Sequence, residues 1–201
     1  MRHLLTPGRI VALIVVVVLA VLVTIPFYTP PAHQIHTPGA TALSAQVVES
    51  SPPIYAYQTM HASQSLDDVR CQLWRTRQGP QAACPDKATL ASTYFPGLTQ
   101  SPMTLYLPVT FCTSRGGGSD GFNLEFLPSN RTLVIHCYTA KSLIWLQHGP
   151  PGVNAAPPLA LLLVPTQSIP AGDIAIDLDF RTEHVLGDDS NEYRWITATI
   201  S

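Results

Sequence analysis

From Ile10 to Tyr28 the chain reads IVALIVVVVLAVLVTIPFY, 19 residues without a charge. At a rise of about 1.5 Å per residue a helix of that length measures roughly 28 Å, close to the ~30 Å hydrocarbon core of a bilayer. A secretory signal has a shorter apolar region followed by small residues. Here Thr29-Pro30-Pro31 follows, and the cleavable-looking Ala42-Leu43-Ser44 lies too far downstream. Residues 10–28 therefore read as an uncleaved transmembrane signal anchor behind a tail of residues 1–9. Arg2 and Arg9 precede the run, and no Lys or Arg follows it until Arg70. The positive-inside bias then predicts a cytoplasmic N-terminus and a C-terminal domain outside the cell membrane.

Past residue 100 the period changes to two. Leu105, Leu107, Val109 and Phe111 alternate with Tyr106, Pro108, Thr110 and Cys112. Phe122, Leu124 and Phe126 alternate with Asn123 and Glu125, and Leu133, Ile135 and Cys137 with Thr132, Val134 and His136. Ile174, Ile176, Leu178 and Phe180 share one side of a strand and Asp173, Ala175, Asp177 and Asp179 the other, while Tyr193–Ile200 closes the chain. Leu143–Gln147 and Leu159–Val164 read as short, more fully buried strands. Turn residues punctuate these runs at Gly116–Gly118, Pro128–Asn130, Gly149–Gly152 and Gly187–Asp189. Before residue 100 the signals are helical. Ser65-Leu66-Asp67-Asp68 resembles a capping box opening a helix through Thr76, although Val69, Cys71 and Leu73 also permit a strand. A second short helix fits Asp86–Tyr94. The expected fold is mainly β: one N-terminal transmembrane helix, then an antiparallel β-sandwich-like extracytoplasmic domain over residues 54–201 with one or two short helices.

Composition adds a linker. Residues 29–53 contain five prolines, one acid and no aromatic beyond the anchor. Such a stretch buries too little apolar surface to offset its ordering entropy, and its prolines favour extended segments that would hold the domain off the bilayer. Outside the membrane, 9 basic residues face 13 acidic ones. That balance gives no general attraction to nucleic acid or anionic lipid.

The four cysteines, Cys71, Cys84, Cys112 and Cys137, all follow the anchor, where disulfides persist. Three pairings are open; nearest neighbours give Cys71–Cys84 and Cys112–Cys137. Zinc is disfavoured because no C-x-x-C pair occurs. Thr110-Phe111-Cys112 and Leu133-Val134-Ile135-His136-Cys137 place a cysteine near a strand end, and the anchor with a β-rich domain is similar in architecture to a cysteine transpeptidase of the sortase type. That resemblance implies a Thr-Leu-x-Thr-Cys strand with an arginine soon after; Cys137 has no arginine until Arg181, and Cys112, near Arg115, lacks the Thr-Leu motif.

Other constellations lack a part as well. Gly117-Gly118-Ser119-Asp120-Gly121 matches a G-x-S-x-G elbow, but a strand-like run follows where the elbow needs a helix. His33 and His36 form H-x-x-H in a segment read as flexible, a poor metal site. Seven of the thirteen acids lie at Asp173, Asp177, Asp179, Glu183, Asp188, Asp189 and Glu192. Calcium is one reading, yet an EF-hand frame from Asp177 meets Arg181 and Thr182, so a solvated strand face is preferred. Arg70, Arg75 and Arg77 read as partners for those acids. Trp74, Trp145 and Trp195 read as core, and Asn130-Arg131-Thr132 is a glycosylation sequon on a turn.

No catalytic, metal or cofactor residue is assigned. The expected function is a single-pass, membrane-anchored extracytoplasmic binding or interaction module. Its partners would be the bilayer through residues 10–28 and an envelope protein or other envelope component, with no nucleic acid. The alternative is an anchored envelope enzyme, cysteine transpeptidase-like or hydrolase.

Overall fold

The computed structural model describes residues 7–29, 33–50, 54, 61–109, 121–142 and 159–201. The uncharged run forms α1 (Pro7–Thr24), extended by a 3-10 turn over Ile25–Phe27. None of the residues of α1 is buried against the described part of the chain, and the helix is long and apolar enough to cross a membrane.

The remaining elements are β1 (Thr41–Leu43), β2 (Gln46–Glu49), α2 (Leu66–Gln78), α3 (Lys87–Thr93), β3 (Thr104–Val109), β4 (Gly121–Leu127), β5 (Thr132–Ala140), β6 (Ala160–Pro165), β7 (Gly172–His184) and β8 (Gly187–Ile200). They form a five-stranded sheet in the order β1-β4-β5-β7-β8 and a three-stranded sheet in the order β2-β6-β3. The fold is mainly β, as the alternation predicts. Its sheets are not wholly antiparallel, because β5 and β7 pair in parallel while the chain between them visits β6 in the other sheet.

Alternation decides the packing. Leu124 and Phe126 of β4, Leu133, Ile135 and Cys137 of β5, and Ile174, Ile176 and Leu178 of β7 share one core with Leu105, Leu107 and Val109 of β3 and Leu162 and Val164 of β6. Tyr106, Leu159 and Leu161 point the other way into a second core with Leu66, Val69, Leu73, Leu90, Tyr94 and Phe95. β3 and β6 are thus buried on both faces, while the edge strand β2 is mostly exposed. This is why Leu159–Val164 reads as a continuous apolar run and why helices α2 and α3 are needed as a third layer.

Both helices begin at their expected caps. The Asp68 amide donates to Ser65 Oγ at 3.2 Å and the Thr89 amide to Asp86 Oδ1 at 3.0 Å. The helical alternative for Val69–Leu73 prevails over the strand, since Leu66, Val69 and Leu73 fall on one buried stripe.

Three expectations need correction. The segment expected to be a linker carries β1 and β2, which pair with β4 and β6 over Thr41–Leu43 and Gln46–Glu49. Short strands with few apolar residues gain their order from these partners, not from their own composition. The Gly187–Asp189 turn is instead the start of β8, and the hairpin turns at Val185-Leu186. Two of the arginines of α2 have other partners than the C-terminal acids: Arg70 lies 3.8 Å from Asp67 and donates to the carbonyls of Tyr94, Phe95 and Leu98 at 2.8–3.0 Å, and Arg75 donates to that of Ala82. The strand expected at Leu143–Gln147, the turns at Gly116–Gly118 and Gly149–Gly152, Ser119 and Trp145 lie outside the described residues.

Candidate functional site

The outer face of the five-stranded sheet carries a row of ionisable side chains. Strand period puts Asn123 and Glu125 of β4, His136 of β5, and Asp179 and Glu183 of β7 on the face opposite the core. His136 stands directly across from Asp179, and Asn123 across from His136, which leaves Glu125 on the diagonal. His136 Nδ1 lies 2.8 Å from Asp179 Oδ2, and His136 Nε2 lies 3.2 Å from Glu125 Oε2. Glu125 and His136 are each only 3% exposed, although they sit on an outer face.

Residues 33–37 cover them. The chain crosses from β7 to β4 as a strap. The His33 amide donates to Glu183 Oε2 at 3.1 Å, and the His33 ring Nδ1 is 2.8 Å from the same oxygen. Asn123 Nδ2 donates to the Ile35 carbonyl at 2.7 Å. His36 Nδ1 lies 2.6 Å from Glu125 Oε1, the Thr37 amide donates to Glu125 Oε2 at 2.7 Å, and Thr37 Oγ1 is 3.0 Å from His136 Nε2. Thr37-Pro38-Gly39-Ala40 then turns the chain into β1: the Ala40 amide donates to the Thr37 carbonyl, Pro38 supplies its fixed φ and Gly39 takes φ +79.

Burial alone pushes the Glu125 carboxyl up. The Thr37 amide, His36 and His136 together outweigh that and hold it below the ordinary 4.5. His136 Nδ1 thus faces the Asp179 carboxylate, and Nε2 faces both the Glu125 carboxylate and the Thr37 hydroxyl.

Chemically, Thr37 Oγ1, His136 and Asp179 stand in the order hydroxyl, imidazole, carboxylate, as in a hydrolytic triad. Two features set this row apart from an open triad. A second carboxylate, Glu125, shares Nε2, and the ring is closed off from solvent. The sequence reading missed this cluster. Its signals were the H-x-x-H pair, the Thr37-Pro38-Gly39 turn and a glutamate and histidine on the non-core side of adjacent strands.

The other predicted positions separate. His33 and His36 bind different carboxylates, and among the described residues no group of three or more His, Cys, Asp or Glu is placed to hold a metal ion. The C-terminal acids that are described have protein partners: Asp173 accepts from Thr199 Oγ1, Asp179 pairs with His136, Glu183 with His33, and Asp188 with Arg181. Cys71 and Cys84 form a disulfide with Cα atoms 5.6 Å apart, fastening α2 to the following loop. Cys137 is disulfide-bonded too, and Cys112 lies outside the described residues. Trp74 is half-buried and donates to the Ala83 carbonyl at 3.1 Å. Asn130 is exposed on its turn. β4, a strand, begins two residues after Ser119, where an elbow would require a helix. Beside β2, Gln46, Ser101, Thr104 and Leu163 help line a groove of about 530 Å³ whose side chains are all uncharged.

Fold and site together define a β-rich protein on an apolar N-terminal helix, with an ionisable cluster enclosed by its own chain. No family model, curated protein or solved structure matches the chain.

Proposed function

We propose that this protein is a single-pass membrane-anchored interaction module: α1 spans the cell membrane, and a sandwich-like domain outside the cytoplasm engages another envelope component. One observation carries the reading. The Glu125–His136–Asp179 row, the arrangement closest to catalytic chemistry among the described residues, is occupied by the protein's own residues 33–37. A cluster used to fasten the chain is a structural clamp, and buried carboxylates and imidazoles persist where they are hydrogen-bonded, as Glu125, His136 and Asp179 are. The uncharged groove beside β2 suits a neutral stretch of polypeptide better than a polyanion.

A hydrolase is the second reading, favoured only by the Thr37–His136–Asp179 order. The two separate under active-site-directed reagents. Full-length protein in membranes, treated without reductant with a fluorophosphonate and then with iodoacetamide, should label at neither Thr37 nor any cysteine. Stoichiometric labelling of Thr37, or rapid alkylation of one cysteine, would establish an enzyme instead. Protease added outside intact cells should remove the domain and leave α1 in the membrane.

A further inference from the structure

The strap fixes more than the sheet: it shortens the tether. On the anchored reading, which this inference takes as given, the membrane segment ends at Phe27-Tyr28, two exposed aromatics of the kind that settle at the membrane–water interface. His33 is already fastened to Glu183, by its amide at 3.1 Å and its ring at 2.8 Å. Five Cα steps separate Tyr28 from His33, a reach of at most roughly 18 Å even fully extended. A freely extended linker to residue 53 would have set the domain several tens of ångströms away; the bound strap does not allow it.

Glu183 is the penultimate residue of β7, so the part of the domain tied most closely to the anchor is the end of the β7–β8 hairpin. That end turns on Val185-Leu186, and Leu186 is 75% exposed. Two-residue hairpin turns favour Asn, Asp and Gly for backbone reasons. Here the two turn residues are apolar, exposed and at the end of the shortest path to the membrane.

We propose that the Val185-Leu186 hairpin tip rests in the headgroup region of the same bilayer that α1 spans. The contact is apolar. Among the described residues at the tip Arg181 is paired with Asp188, His33 with Glu183, and His184 Nδ1 accepts from the Leu186 amide, so the contact is not expected to depend on anionic lipid.

The test uses full-length protein in neutral phosphatidylcholine vesicles, oxidised, with one environment-sensitive fluorophore attached in turn at Leu186→Cys, Val16→Cys and Asn130→Cys. Nitroxide-bearing lipids supply the quencher. The expected result is strong quenching at position 16, and at position 186 quenching several-fold above that at position 130, unchanged when anionic lipid is added. Quenching at 186 equal to that at 130, with 16 strongly quenched, overturns the hairpin contact and leaves the anchor standing. An unquenched label at 16 overturns the anchored reading itself. Protection at 186 that grows with protein density and not with lipid quencher also overturns the proposal, pointing to a second copy as the occupant.

Discussion

Two segments cover the two outward sheet faces, and they hold by different means. Helices α2 and α3 lie on the three-stranded sheet through Leu66, Val69, Leu73, Leu90, Tyr94 and Phe95, with Arg70 capping the carbonyls of residues 94, 95 and 98. The strap lies on the five-stranded sheet through Glu183, Asn123, Glu125 and His136. Apolar burial is non-directional and nearly indifferent to pH near neutrality. The strap's contacts are directional, ionisable and short-range. The first cover is a layer of the fold; the second is a fastening, and a fastening can be undone by one substitution or by acid.

The substitutions that break each cover should therefore differ in kind. Replacing His136 with Ala leaves Glu125 and Asp179 facing each other without the ring between them. Leaving buried acceptors short of a hydrogen-bond partner costs about 1–3 kcal/mol, more where they are charged, read by urea unfolding near pH 7. That loss should shrink in acid, where the carboxylates are neutral. Leu73→Ala, under the helical layer, should cost about 2–5 kcal/mol, with the difference from the parent protein constant across pH. If both variants show the same pH profile, the contrast between the covers fails.

The Cys71–Cys84 disulfide sharpens the comparison, since it belongs to the helical cover. Changing Cys71 and Cys84 together to Ala opens a 14-residue loop and should cost about 3 kcal/mol by chain entropy. Limited proteolysis should then cut first after Arg75 or Arg77, while residues 33–37 stay protected. The smallest effect concerns Glu125. Its folded carboxyl titrates below the ordinary 4.5, so between those values the unfolded chain binds more protons and stability rises with pH. The contribution is fully present above about 4.5 and is lost as pH falls through the folded value. Glu125→Gln should flatten the acid limb of the stability curve; an unchanged limb would show that other carboxylates set it.

The contrast also explains which parts of the structure were legible in the sequence. Ser65 and Asp86 marked both helix starts because a cap is a local feature. Leu124, Leu133 and Ile176 declared their face by period two, and Leu159–Val164 declared its deeper burial by the absence of a period. What alternation does not encode is the partner: nothing in Leu133–Cys137 or Ile174–Leu178 says that their strands pair in parallel. β1 and β2 escaped notice because three and four residues are too few to show a period. The strap was hidden for a physical reason. His33, His36 and Thr37 among prolines resemble solvated linker, and only their distant partners, about 90 to 150 residues along the chain, give them a fixed place.

Residues 33–37 belong to the folded domain and close its ionisable cluster. The Thr37 amide, bound to Glu125 Oε2 at 2.7 Å, reports on it directly. Hydrogen exchange on the full-length protein at neutral pH should find this amide protected nearly as well as the strand amides of β4, and Glu125→Gln should abolish most of that protection while leaving β4 protected. Exchange of the Thr37 amide at the rate of an unstructured peptide, in the unmodified protein, would contradict the account: the strap would be a loose linker, and the cluster open to solvent and to substrate.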